Sequence, residues 1–158
     1  MNIKITLFTF VLMCASLVGF AQNTVSAEEI MRDIKAGKDV ELSNVTIEGR
    51  LDFTFMEEQL ASLPRKRASR KKNNSIYKHI QSKISFTNCE FQYDVLAYIP
   101  DHDESGYTFI AHFEDVVTFK NCVFKKRAMF KHSNFHEDSS FEHTEFLGET
   151  TFKHANFK

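Results

Sequence analysis

The chain of 158 residues has no tryptophan, only five glycines, two prolines and three cysteines. It also lacks a phosphate-binding glycine loop, a metalloprotease helix motif and a nucleophile with a recognisable base. These absences leave no motif for catalysis, and we predict no enzyme activity, no cofactor and no metal site. The formal net charge of −1 argues neither for nor against an anionic partner of the whole protein.

Phenylalanine, by contrast, is abundant, with 17 copies in the chain. The last eight follow one another at alternating intervals of five and six residues. They are Phe119, Phe124, Phe130, Phe135, Phe141, Phe146, Phe152 and Phe157. An apolar residue at so regular an interval, in a stretch without a helical period, indicates a solenoid whose turns each point one side chain inward.

A small or β-branched residue lies two positions before each of these phenylalanines. The eight are Val117, Cys122, Ala128, Ser133, Ser139, Thr144, Thr150 and Ala155. One large and one small inward residue on each short face is a rule of packing, because the two sizes fill an interior together.

On these residues the chain resembles the pentapeptide-repeat family. The local matches to its consensus are SNF at 133–135, ANF at 155–157, TEF at 144–146 and CVF at 122–124. The resemblance implies a right-handed, four-sided parallel β-helix with one repeat on each face. This chain departs from the family by a sixth residue in every second repeat, which lengthens the coil to 22 residues.

The same register extends towards the N-terminus and predicts an all-β solenoid of about four coils with four interior columns. The first column is Leu42, Phe86, Phe119 and Phe141, and the second is Ile47, Phe91, Phe124 and Phe146. The third is Phe53, Ala97, Phe130 and Phe152, and the fourth is Ile80, Phe113, Phe135 and Phe157. Neighbours in a column are expected about 4.8 Å apart, as in adjacent strands.

Residues 1–21 are typical of a cleaved secretory signal. Lys4 precedes an apolar run, and the small residues Gly19 and Ala21 lie at the positions that a signal peptidase reads. An uncleaved anchor and a lipoprotein signal at Cys14 are the alternatives. Cleavage predicts a secreted or periplasmic protein without a transmembrane span.

Residues 22–39 are predicted to hold a short capping helix and its lead-in, and residues 40–158 the solenoid. Ser26 is the expected N-cap, Glu29 stands at the capping-box position and Gly37 ends the helix. Such a helix would cover the first coil, as terminal caps do in solenoids.

Two segments lie outside the register, at about 54–78 and 98–108, and both separate the third face from the fourth. We therefore expect two loop insertions that project from one corner, and loops on a rigid scaffold are where recognition is usually found. Their charged residues make this corner the candidate interaction loop. These residues are Arg65, Lys66, Arg67, Arg70, Lys71 and Lys72 in the first insertion, and Asp101, Asp103 and Glu104 in the second.

Only Cys89 and Cys122 remain after signal removal, and the register places them at one inward position in consecutive coils. We favour two buried thiols, because parallel side chains keep their Cβ atoms farther apart than a disulfide prefers; a disulfide is the alternative. His132, His143 and His154 recur every 11 residues. The repeat itself accounts for that interval, without a metal.

These features predict a secreted or periplasmic structural or interaction module that binds a protein or a glycan and performs no catalysis. One alternative is attachment to an anionic envelope surface through the basic residues 65–72. The other comes from the resemblance, since some pentapeptide-repeat proteins mimic DNA and bind a topoisomerase; the signal and the near-neutral charge argue against that role. We expect no nucleic acid as a partner. The uncovered strand edges of the last coil predict either a homodimer through this end, because such edges invite pairing, or a longer solenoid of which this sequence is a part.

Overall fold

The computed structural model describes residues 23–63, 74–101 and 105–158, which form 18 strands and two helices. The helices are α1, Ala27–Lys35, and α2, Met56–Ser62. Neither described helix is long and apolar enough to cross a membrane. Almost all of the described architecture is therefore β-structure.

Most of the strands are very short, which is what a chain that turns a corner every five or six residues allows. The first nine are β1 Asn23–Ser26, β2 Val40–Ser43, β3 Val45–Glu48, β4 Leu51–Asp52, β5 Ser75–Ile80, β6 Ile84–Thr87, β7 Glu90–Phe91, β8 Val95–Leu96 and β9 Tyr98–Asp101. The others are β10 Tyr107–Phe113, β11 Val117–Lys120, β12 Val123–Phe124, β13 Ala128–Met129, β14 Asn134–Phe135, β15 Ser139–Ser140, β16 Glu145–Phe146, β17 Thr150–Thr151 and β18 Asn156–Phe157.

These strands stack into four parallel sheets, one for each side of the solenoid. The first face contains β2, β6, β11 and β15, the second β1, β3, β7, β12 and β16, and the third β4, β8, β13 and β17. The fourth contains β5, β10, β14 and β18, with β9 added to β10 in antiparallel pairing. The fold is a right-handed parallel β-helix of four coils, as predicted.

The interior consists of side chains stacked in columns along the axis. Backbone pairing aligns Phe119 with Phe86 on the first face and Phe124 with both Phe91 and Phe146 on the second. The rings of Phe91 and Phe124 lie parallel, with centroids 4.6 Å apart. Rings of different columns meet edge to face, as do Phe86 and Phe91. Both geometries are favourable for aromatic pairs and add about 0.5–1.5 kcal/mol to the area that each ring buries.

The corners that lie within the five-residue intervals share one backbone feature, a residue with positive φ. Asn44, Asn88, Asn121 and His143 take this position between the first and second faces, and Phe55, His132 and His154 take it between the third and fourth. Asn and His are among the residues that tolerate left-handed backbone best, whereas a bulky residue such as Phe55 pays a steric cost. The three histidines at the predicted 11-residue interval therefore occupy turns of the repeat.

The N-terminal end of the solenoid is covered by β1 and α1. The Ser26 hydroxyl accepts a hydrogen bond from the backbone N–H of Glu28, and Ala27, Ile30 and Ile34 are buried. Glu29 does not close a capping box; its carboxylate lies 3.8 Å from the guanidinium of Arg32. Strand β1, which was not expected, pairs with β3 as an additional rung below the first coil.

The two insertions contain more regular structure than the predicted loops. Residues 98–108 include β9 and the start of β10, which form an antiparallel hairpin because their backbones pair from Tyr98 to Asp101. Residues 54–78 include α2, and β5 begins at Ser75 since its backbone pairs with that of Thr108. Both insertions do leave the solenoid between the third and fourth faces.

Burial is uneven along the predicted columns. Most members are buried, including Phe53, Phe86 and Phe130. Leu42 is only half-buried, as are Phe141, Phe146 and Phe152, and Phe157 is 49% exposed. These residues belong to the first and last coils, which have a neighbouring coil on one side only among the described residues.

This difference predicts unequal costs for removing two chemically identical side chains. Phe130 is fully buried, with its ring 5.1 Å from that of Phe152, and Phe130→Ala leaves a void that lowers the free energy of unfolding by about 3–5 kcal/mol. The control, Phe157→Ala, costs less than about 1 kcal/mol because half of the side chain already faces water. Urea unfolding measures both, and equal midpoints for the two variants would contradict the column packing.

Candidate functional site

A groove of about 470 Å³ lies on the fourth face, beside the hairpin of β9 and β10. We call it the fourth-face groove. Its lining is mostly polar: Ser75, Tyr77, Tyr98, Thr108, Ile110, His112, Lys131, His132, Asn134, His154 and Asn156. The second insertion creates this concavity, because a hairpin here widens a face whose strands in the third and fourth coils have only two residues.

The register of β5 and β10 determines which side chains face outward. Ile110 pairs with Tyr77 and His112 with His79, while the next residues, Phe113 and Ile80, point into the core. Because side chains alternate along a strand, Tyr77 and His112 lie on the outer surface. Polar side chains thus form two rows along the axis, and they continue to His154 and Asn156 in the last coil.

Aromatic rings at the groove have defined orientations. The ring of Tyr77 stacks on the imidazole of His112 with centroids 5.0 Å apart, yet Tyr77 remains 49% exposed. The ammonium of Lys131 lies 4.9 Å from the centroid of the Tyr98 ring and donates to its hydroxyl oxygen at 3.3 Å. The groove therefore combines one exposed ring with a positioned cation.

Two further pairs continue the groove across the third and fourth coils. The imidazoles of His132 and His154 stack with centroids 5.0 Å apart, and Asn156 donates from its side-chain amide to Asn134 at 2.8 Å. The pKa of His132 is lowered, first by burial and then by Lys131, His154 and Lys153. Among the described residues that line the groove, Lys131 is the one Lys or Arg, and none is an Asp or Glu.

His112 connects the groove to the structure beneath it. Its Nδ1 accepts a hydrogen bond from the backbone N–H of Asn134 at 3.1 Å, and the residue is 8% exposed. His79, His136 and Glu114 face it, and the Glu114 carboxylate lies 2.5 Å from His79 Nδ1. The bond with His79 lowers the pKa of Glu114. Burial, aided by His79 and His136, lowers the pKa of His112, although Glu114 opposes the shift.

Most of the predicted interaction loop falls outside the described residues. Arg65, Lys66, Arg67, Arg70, Lys71 and Lys72 do so, as do Asp103 and Glu104. Asp101 is described; it ends β9, and its carbonyl oxygen accepts hydrogen bonds from the backbone N–H groups of Ser105 and Gly106. The described parts of the predicted corner are therefore α2 and the hairpin beside the groove.

Sequence reasoning missed Tyr77, Tyr98 and His112, which lie in or next to the segments assigned to loops. The signal was present in IYKHI at 76–80 and FIAHF at 109–113. Each alternates outward and inward residues with period two and ends on a column residue.

The two cysteines are buried and free, at equivalent positions of neighbouring coils. Cys89 Sγ lies 3.6 Å from the carbonyl oxygen of Leu42, and Cys122 Sγ lies 3.5 Å from that of Phe86. In the last coil Thr144 donates to the carbonyl oxygen of Phe119 in the same way. The pKa of Cys122 is raised, first by the neighbouring Cys89 and then by burial, because both oppose ionisation of a second thiol. The two thiols thus belong to a row of inward side chains, continued by Thr144, that contact carbonyl oxygens of the preceding coil.

A second concavity of about 560 Å³ lies between α1 and α2. Its charged side chains pair with one another, as Lys35 does with Glu58 at 2.8 Å and Arg50 with Glu57 at 3.3 Å. Asp52 has a raised pKa because of burial, although the hydrogen bonds that its carboxylate accepts from Thr54 oppose the shift. These two ion pairs and the Asp52 carboxylate thus have partners within the chain. Among the described residues, no group of three or more His, Cys, Asp and Glu side chains could hold a metal ion.

Comparison with known proteins identifies one family. Residues 111–157 match the model for pentapeptide repeats, in nine copies. No curated protein and no solved structure matches the chain. The matched segment begins within β10, so it includes the third and fourth coils and half of the fourth-face groove.

The environment of His112 predicts a dependence of stability on pH. Its folded pKa is below its usual value of 6.5, so the unfolded chain takes up the proton first. The stability that neutral His112 contributes is complete above about pH 6.5 and decreases as the pH falls through that value. We expect His112→Asn, which keeps an acceptor near Asn134 but does not titrate, to lose less stability than the wild type between about pH 7.5 and pH 5.

The control is His143→Asn at an exposed corner on the other side of the solenoid. Asparagine tolerates the positive φ of that position, so this variant keeps the wild-type profile. Urea midpoints at the two pH values give the comparison. If His112→Asn and the wild type lose equal stability, the burial of neutral His112 is not the cause.

Proposed function

The chain is a pentapeptide-repeat protein, and from this premise we propose that it is a secreted or periplasmic interaction module that binds its partner on the fourth face. The repeat module supports a structural or interaction role. The residues that distinguish this solenoid from a plain repeat are the two insertions, both at one corner. An interrupted repeat at a single corner favours recognition there, since loops on rigid scaffolds commonly bind partners.

The fourth-face groove is the observation on which this proposal depends. Hydrogen bonds between coils fix β5, β10 and β14 side by side, so the outward side chains of three coils form one surface. That surface is concave and offers an exposed ring, amides, imidazoles and one ammonium. Binding sites usually combine such a concavity with a few positioned polar groups.

We propose that the module performs no catalysis. The interior is filled by stacked rings, which leaves no sheltered cavity at the axis in the part of the chain that the structure describes. The sequence also offers no nucleophile with a recognisable base. We propose further that residues 1–21 act as a secretory signal and that the module lies outside the cytoplasm; N-terminal sequencing of the mature protein is the direct check.

Two exposed tyrosines make a matched pair for testing the binding face. Tyr77 lies in the groove and is 49% exposed; Tyr93 lies at the corner between the second and third faces and is 51% exposed. We expect a photo-crosslinking phenylalanine analogue at position 77, in cells of the native host, to give a discrete adduct, whereas position 93 gives none. Gel mobility and mass spectrometry detect the adduct. An adduct at position 93 alone, or at neither position, would contradict this proposal.

Attachment to an anionic envelope surface is the competing proposal, and it rests on the six basic residues of the first insertion. Reversing Arg65, Lys66, Arg67, Arg70, Lys71 and Lys72 to Glu separates the two. Binding on the fourth face predicts an unchanged share of protein in the membrane fraction. Attachment predicts release, because each basic residue near an anionic surface contributes about 1 kcal/mol. Cell fractionation at physiological salt measures the share, and the crosslink at position 77 serves as the control for folding.

A further inference from the structure

We propose that the fourth-face groove binds an acidic glycan, with a sugar ring on Tyr77 and the acidic group beside Lys131. This inference rests on the proposed function and names the chemistry of its partner. The three observations that carry it are the exposed ring, the polar rows and the sign of the charge.

The exposed ring suits a sugar because a sugar has one face of C–H groups and a rim of hydroxyls. Tyr77 is held in place from one side by the imidazole of His112, with an angle of 20° between the rings. Its exposed part is a flat apolar surface whose hydroxyl can also form a hydrogen bond. A ring immobilised before binding costs little further entropy on binding.

The rows beside the ring suit hydroxyl groups, which both donate and accept hydrogen bonds. Asn134 and Asn156 each present a carbonyl oxygen and an amide with two N–H donors, and a neutral imidazole has one donor and one acceptor. Ile110 is the one aliphatic side chain in the described lining. A peptide or lipid ligand would require apolar pockets, which this lining does not offer.

Charge selects an acidic glycan over a neutral one. Lys131 is the one charged side chain in the described lining, and no carboxylate faces it there. Lys153 lies close enough to lower the pKa of His132. A carboxylate or sulfate in this position would offset the positive charge and accept hydrogen bonds from Lys131.

The dimensions favour a short polymer over a single sugar. The groove extends across four coils, from Tyr77 to His154 and Asn156, or about 14 Å at the usual spacing of strands. A nucleic acid strand of that length would need several cations along its backbone, whereas the described part of the lining has one. An acidic peptide would add as a strand to an open edge; β10 and β14 are bordered on both sides, and polyglutamate tests the edge of β9, which is paired with β10.

Isothermal titration calorimetry on the full chain tests the proposal with three acidic probes: an oligogalacturonate, a hyaluronate oligomer and a heparin-derived oligomer. We expect at least one to bind, and its carboxyl-esterified or desulfated form to bind about tenfold more weakly. Tyr77→Ala and Lys131→Met should each weaken binding about tenfold, while Tyr77→Phe retains it because the ring remains. Tyr93→Ala is the matched control and should bind as the wild type does.

Three results would overturn this inference: no binding of any acidic probe, equal binding by Tyr77→Ala, or binding of polyglutamate or single-stranded DNA as tight as that of the best glycan. An adduct at position 77 together with any of them would reject the glycan and leave the fourth face as the interaction surface. No adduct at that position, with glycan binding intact, would instead reject a macromolecular partner in the cell.

Discussion

Hydrogen bonds between the backbones of successive coils hold each phenylalanine ring over the one below it. Phe53 N–H donates to the carbonyl of Leu96, Ala97 N–H to that of Met129, and Phe130 N–H to that of Thr151. Each bond fixes the height of one rung, so the side chains of one column lie above one another at the spacing of the strands. The parallel rings follow from this constraint, because strands 4.8 Å apart leave a flat ring just enough room to lie over another.

The same constraint reaches the polar side chains at the corners. The amide of Asn88 donates to Asn44 at 3.1 Å, and that of Asn121 donates to Asn88 at 3.0 Å. At another corner the backbones of two neighbouring coils lie so close together that a Cβ on Gly148 would be 2.3 Å from the carbonyl oxygen of Lys126. The repeat thus determines which side chains face the core and which face solvent. Each side chain on the outer surface lies in a row with the equivalent side chains of neighbouring coils.

The columns could be predicted from the sequence because their signal is an interval, and an interval extends through the chain without knowledge of contacts. The pairing of Leu42 with Phe86 and of Ile80 with Phe113 needed no more than that count. The groove could not be predicted in the same way. Tyr77 and the buried His112 lie in β5 and β10, and the alignment of these strands is set by pairing across an insertion. The apolar residues of the two strands alone resemble those of an ordinary strand. His132, His154, Asn134 and Asn156 were within reach of the register, but no concavity follows from them without the hairpin.

The position of the insertions has a physical basis in the corner that they replace. Phe55 adopts the left-handed backbone of the repeat, with φ of 50°, and the chain then leaves the coil into α2. Its ring is covered by the ammonium of Lys78, which occupies an inward position that small residues fill in later coils. One coil further on, the equivalent turn is replaced by the β9–β10 hairpin, which lengthens the fourth face to a seven-residue strand.

A regular solenoid presents nearly identical rungs, so it has little surface that one partner can recognise. The two departures from the repeat therefore supply the asymmetry that a specific site requires, and the hydrogen-bonded coils below supply its rigidity.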